Sequence, residues 1–208
     1  MEQQETNSVL SVEETSSVLS VGALAPNFRL ASAQGPDIAL EDYRGQRNVL
    51  LWLSKGLFCP FCRRYMTQLR FGYRELQERN TEILQVTWST QPEAQLYFRQ
   101  YPLSFPYLCD ADRAVYSLYG VRIVRVGIGE RAAEMASGMV AMVSDRLFRG
   151  EKTALPMVPM KRYGLTDMDQ QAVFLIDKAG LIRYVHTTGS LGGLPSNAEY
   201  VRQLDGLQ

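Results

Sequence analysis

Two cysteines three positions apart, in Cys59-Pro60-Phe61-Cys62, are the residues of this 208-residue chain best suited to chemistry. They follow an apolar run and precede an amphipathic one. At such a strand-to-helix junction the C-x-x-C spacing reads as redox-active. The reason is local. The first turn of a helix leaves backbone N–H groups without intrahelical partners, and the positive end of its dipole favours an anion. Pro60 suits the first helical position and stiffens the turn. Arg63 and Arg64 add positive charge close by. All of this favours Cys59 as the thiolate, which is the attacking form. Cys62, in the first helical turn, is the natural resolving cysteine. Cys59 would attack a peroxide or a disulfide, and Cys62 would then displace the product to leave a Cys59–Cys62 disulfide.

Two other readings of the pair stay open. A structural zinc site needs two more ligands, and the remaining candidates are Cys109, His186 and carboxylates, with no second C-x-x-C. The thiols are otherwise inert and buried. Around the pair, Lys55 is a candidate to hold a thiolate, and Trp52 and Phe58 are candidates to wall the pocket. Cys109 ends an apolar piece and reads as a core thiol. His186, the only histidine, reads as structural. Met135, Met139 and Met142 form one helical face, read as core or as the face of a homodimer. No nicotinamide, flavin or phosphate-cradling fingerprint is present, so no cofactor is expected and electrons must come from an external thiol system.

The elements that position the pair follow from periodicity. Phe28 and Leu30, then Ile38 and Leu40, alternate around a turn and predict a hairpin. Asn48 to Leu53 is nearly all apolar, as in a strand covered on both faces. Phe61 to Gln77 carries Tyr65, Leu69, Tyr73 and Leu76 at helical spacing. Glu82 to Trp88 predicts a strand, Pro92 to Gln100 a helix, and Tyr107-Leu108 a short extended piece. Asp110 or Asp112 caps a helix ending at Gly120. Residues 121–168 break this rhythm and read as an insertion, with a strand over 123–126 and a helix over 130–148. Ala172 to Ile176 and Leu181 to His186 then form a closing hairpin, and Pro195 to Leu204 a last helix. A mixed α/β central sheet with helices on both faces satisfies this order.

Composition bounds the function. With 22 Lys+Arg against 22 Asp+Glu the chain has no net charge, hence no global field for nucleic acid or anionic lipid. Its 46% hydrophobic content supports a sizeable core. No run reaches the roughly 20 apolar residues that span a bilayer. Residues 1–20 are acidic and Ser/Thr-rich and read as a disordered tail without a secretory signal, so the expected compartment is the cytoplasm. Residues 21–208 read as one domain.

Four further segments, in order around the helix-start cysteine, resemble a known family. They are Val21 to Leu30; Ile38 to Leu40 with Arg44-Gly45 and Val49 to Leu53; Phe105-Pro106 with Asp110 to Arg113 and Tyr119 to Val121; and Ala172 to Asp177 with Gly180 to Val185. The chain resembles the peroxiredoxin-like proteins of the alkyl hydroperoxide reductase/thiol-specific antioxidant type over about residues 21–119 and 170–205. The resemblance implies a thioredoxin-like fold and a thiol-dependent peroxidase, with Cys59 as the peroxidatic cysteine followed by Pro60. It implies hydroperoxide or disulfide substrates and a thioredoxin- or glutaredoxin-like reductant. A thiol–disulfide oxidoreductase acting on proteins and a non-catalytic binding protein on the same scaffold are the alternatives. The family pattern carries Thr or Ser where this chain has Gly56, and Pro where it has Trp52. It also uses an arginine from elsewhere, for which Arg122, Arg125 and Arg149 are candidates. Thioredoxins proper carry a cis-proline just before the closing hairpin, where this chain reads Asp169-Gln170-Gln171-Ala172.

Overall fold

The computed structural model describes residues 18–57, 59–125, 127–129, 132, 133, 136, 137, 140, 143, 167–188 and 193–207. The expected hairpin forms from β1 (Arg29–Ser32) and β2 (Ile38–Ala39), antiparallel with Leu30 opposite Ile38. The apolar run becomes β3 (Asn48–Leu53), which leads into helix α1 (Pro60–Glu78) and the parallel strand β4 (Thr81–Thr87). Helix α2 (Gln91–Phe98) returns the chain to β5 (Tyr107–Cys109), parallel to β4. The short helix α3 (Ala114–Leu118) follows. Strands β8 (Gln171–Ile176) and β9 (Ile182–Thr188) make the closing hairpin, and α4 (Asn197–Asp205) ends the fold. The sheet order is β2-β1-β5-β4-β3-β8-β9, with β8 antiparallel to β3.

Alternation along the strands sends side chains to two cores. Leu50 and Trp52 of β3 face Cys62, Tyr65, Met66, Leu69 and Leu76 of α1, together with residues of α2 and α4. Val49, Leu51 and Leu53 face Val115, Tyr116 and Tyr119 of α3 and its C-terminal side, along with Phe28 and Leu40. Helices therefore cover both faces, which is why β3 and β8 are apolar almost throughout. Helix α1 is long because one stripe of it is buried at steps of three and four residues. At Gly72 it meets α4: a Cβ there would lie 2.0 Å from the Asn197 side chain, which donates to the Gln68 carbonyl at 2.8 Å. This α/β arrangement is a thioredoxin-like fold with a mixed sheet flanked by helices.

Two differences from expectation have physical reasons. Packing is already present before Val21, because Val18 and Leu19 lie against the second core and Leu19 donates its N–H to the Tyr119 carbonyl. The two ends of residues 121–168 are zipped together: β6 (Ile123–Arg125) pairs antiparallel with β7 (Asp167–Asp169) as a separate two-stranded ladder. The Asp-Met-Asp of β7 is too short and too polar to mark a strand by itself. As expected, Asp110 caps α3, accepting from the N–H groups of Ala114, Val115 and Tyr116 at 3.0, 2.9 and 3.3 Å. Of the helix expected over 130–148, the described residues 132, 133, 136, 137, 140 and 143 are helical. The methionine face and the loop around Pro156 and Pro159 lie outside the described residues. Among those described, no helix is long and apolar enough to cross a membrane.

Candidate active site

Strand β3 ends at the sheet's centre and delivers its loop to the start of α1. Gly56 makes the turn with φ +100°, a conformation side chains with a Cβ rarely adopt, and its carbonyl accepts from the Cys59 N–H at 3.2 Å. A glycine in place of the family's Thr or Ser thus has a backbone cause. Cys59 is the N-cap of α1 and Pro60 opens the helix. The Cys59 Sγ accepts a hydrogen bond from the Cys62 N–H at 3.3 Å, and the Cys59 carbonyl accepts from the Arg63 N–H at 3.2 Å. The sulfur therefore takes the place a Ser or Asp oxygen takes at an ordinary helix start. A negative charge at that end gains about 0.3–2 kcal/mol from the helix dipole.

All three cysteines are free and buried. Cys62 is fully enclosed, and its Sγ donates to Gln171 Oε1 at 3.4 Å. Burial pushes the Cys62 thiol well up, and the neighbouring Cys59 sulfur adds to the effect; the charge and main-chain N–H of Lys55 pull the other way. The expected pair thus divides into a sulfur on the helix end and a partner held as a thiol.

Of the surrounding candidates, Lys55 is brought to the pair, with only 4% of its surface exposed. Trp52 is fully buried in the same cluster as both thiols and stands edge-on to Tyr65, ring centroids 4.9 Å apart. Arg63 lies in the first turn of α1. Its side chain is buried, and Nη1 donates to the Leu57 carbonyl at 2.9 Å, so its described contact braces the loop before Cys59. Arg64 is half-buried at the next helical position. Phe58, Arg149 and the Arg125 side chain lie outside what the structure describes, and Arg122 is exposed. Cys109 sits at the end of β5, its thiol pushed up to about 11 by burial. His186 Nε2 lies 3.0 Å from the Gly193 carbonyl, a link between β9 and the approach to α4. Among the described residues no three His, Cys, Asp or Glu side chains cluster as metal ligands.

Gln171 is the site residue that local pattern did not single out. It occupies the first position of β8, 109 residues from its thiol partner. Its one signal is polarity: it is the polar residue of an otherwise apolar strand, Gln-Ala-Val-Phe-Leu-Ile.

Comparison with known proteins agrees with this geometry. The model of the AhpC/TSA family matches residues 21–185. Alkyl hydroperoxide reductase E of Mycobacterium tuberculosis is 32% identical over 116 residues, covering 55% of this chain and 76% of that protein. The thiol-disulfide oxidoreductase ResA of Halalkalibacterium halodurans is 34% identical over 109 residues, covering 51% of this chain and 60% of that protein. In structure, the reduced 2-Cys peroxiredoxin of Plasmodium vivax superposes with a TM-score of 0.62 at 16% identity, over 90% of this chain and 95% of its own. Peroxidoxin BcpB of Mycobacterium tuberculosis gives 0.62 at 15% identity, over 90% and 97%. A helix-start cysteine pair on this fold, matched over most of its length by one family model, identifies the chain as a member of the AhpC/TSA family, a peroxiredoxin-like thiol oxidoreductase.

Proposed function

We propose that Cys59 is the attacking cysteine and Cys62 the resolving one in the reduction of hydroperoxides. The observation that carries this reading is the helix-start geometry, with Cys59 Sγ accepting from the Cys62 N–H at the N-cap of α1. The Cys59 thiolate attacks the terminal peroxide oxygen. The S–O bond forms, the O–O bond breaks, and the departing alkoxide takes a proton to leave as an alcohol. Cys62, as thiolate, then attacks the Cys59 sulfenic sulfur. The S–S bond forms and hydroxide leaves as water with the proton Cys62 gave up. An external dithiol, of the thioredoxin or glutaredoxin kind, returns both sulfurs to thiols by exchange. The setting on this reading is the cytoplasm, where such systems keep thiols reduced.

A second reading, thiol–disulfide exchange with protein partners, is favoured by Gly56, which leaves no side-chain hydroxyl three residues before Cys59. One experiment decides between the two. Reduced protein is mixed with a hydroperoxide or with a protein disulfide, and thiol loss is followed by stopped flow. Loss of thiol with peroxide, abolished in Cys59→Ser, is the expected outcome. Reaction with protein disulfides alone moves the function to the second reading.

A further inference from the structure

We infer that Gln171 is a positioning residue for the resolving step: its side-chain amide holds the Cys62 thiol through the carbonyl oxygen and, by turning its amino group inward, supports the Cys62 thiolate that attacks Cys59. The inference rests on the pairing of Cys59 and Cys62 proposed above.

A buried amide is costly unless its polar atoms are bonded. Gln171 is only 5% exposed, on a strand whose other residues are apolar, so an aliphatic side chain would fill this position at lower cost. Alternation puts Gln171 on the same face of β8 as Val173 and Leu175, which pack in the core that holds α1. Pairing with Thr188 of β9 fixes its backbone. The side chain therefore meets Cys62 from the strand side, while Cys59 meets it from the helix start, and the thiol donates to Oε1 at 3.4 Å.

Resolution needs this thiol to lose its proton inside a closed core. The titratable or charged groups facing it are Cys59 on α1, Lys55 on the loop after β3 and Tyr107 on β5. Lys55 is the one that favours the anion. A glutamine suits the change of charge because it carries an acceptor and a donor on one short group. It accepts from S–H before the proton leaves and donates to the sulfur afterwards, with no charge of its own. A glutamate keeps the acceptor and opposes the thiolate. A methionine fills the space and does neither.

The test uses the full chain as Gln171→Met and Gln171→Glu, in a Cys109→Ser background so that two thiols report. The reduced protein is mixed with 5,5′-dithiobis(2-nitrobenzoate), and release of the coloured thiolate is followed against pH. The first release reports attack by Cys59, and the second reports closure by Cys62. The expected result is a first phase that holds while the second slows about three- to fourfold in Gln171→Met, the net effect of one unit of thiol pKa on thiolate fraction and nucleophilicity. In Gln171→Glu the second phase slows further, and in both variants its pH midpoint rises. A second phase with unaltered rate and midpoint overturns the inference, and so does equal slowing of both phases, which marks a merely structural role. Wild-type protein that shows both releases yet ignores hydroperoxide sinks the peroxidase reading and leaves this one standing.

Discussion

The starts of α1 and α3 present the same unsatisfied N–H groups to two different acceptors. At α3 a carboxylate takes them up: Asp110 accepts from three consecutive backbone donors and is 2% exposed. Burial nonetheless leaves its carboxyl above the usual range, with the three N–H bonds pulling it back. At α1 a sulfur sits in the cap position and accepts from the main-chain N–H of Cys62. Hydrogen bonds to a permanent charge hold a structure, whereas donors aimed at a group able to gain and lose charge are available for chemistry. The same helix-end donors thus meet a carboxylate in one region and a thiol in the other.

The contrast breaks if the two starts respond alike to mutation. The largest effect is expected from Cys59→Ser. Serine is a strong N-cap, so α1 keeps its start and the melting temperature stays within about 2 °C of wild type. Peroxide consumption should fall by at least about a thousandfold, because the hydroxyl is a far weaker nucleophile than a thiolate. The mirror experiment is Asp110→Ala, which strips three buried donors of their acceptor. Urea unfolding should show a loss of about 2–3 kcal/mol, while turnover per folded molecule is retained. Loss of activity in proportion to stability would mean that the two ends are coupled.

Gly56→Thr sharpens the comparison by restoring the residue type the family carries. The positive φ at this position should cost about 1–3 kcal/mol in thermal unfolding. The peroxide rate should not rise, since the loop that presents the hydroxyl would be strained. The smallest effect concerns the third sulfur, which burial holds as a thiol without any helix end. Cys109 titrates at about 11 in place of 9.0. Its contribution to stability is full below about pH 9 and disappears as pH rises to about 11. Wild type should therefore lose more stability over that interval than Cys109→Ala, as read by urea titration at the two ends, with equal peroxide rates below it.

Legibility in the sequence follows the range of the interactions. Strand β3 was readable to the residue because burial on both faces demands an unbroken apolar run. The start of α1 was readable because Cys-Pro-x-Cys carries its own cap and first-turn proline. Gln171 was not, since its role exists only through a contact across 109 residues and its spacing matches no motif. The contact that Arg63 makes was not legible for a related reason. Sequence puts it next to the thiol, but only the folded loop reveals the Leu57 carbonyl that draws its guanidinium inward. Strand β7 escaped because it is too short and too polar to mark a strand by itself.

The ladder between β6 and β7 has one more consequence. It fastens both ends of the intervening segment at a single root, and the Gln170 N–H bonds the Arg122 carbonyl there. With its ends already joined, such a segment can be lengthened or shortened at a closure cost that grows only logarithmically. The fold is therefore insulated from changes in that segment's length. The root stands one residue before Gln171, so the ladder and the strand that contacts Cys62 share one stretch of backbone.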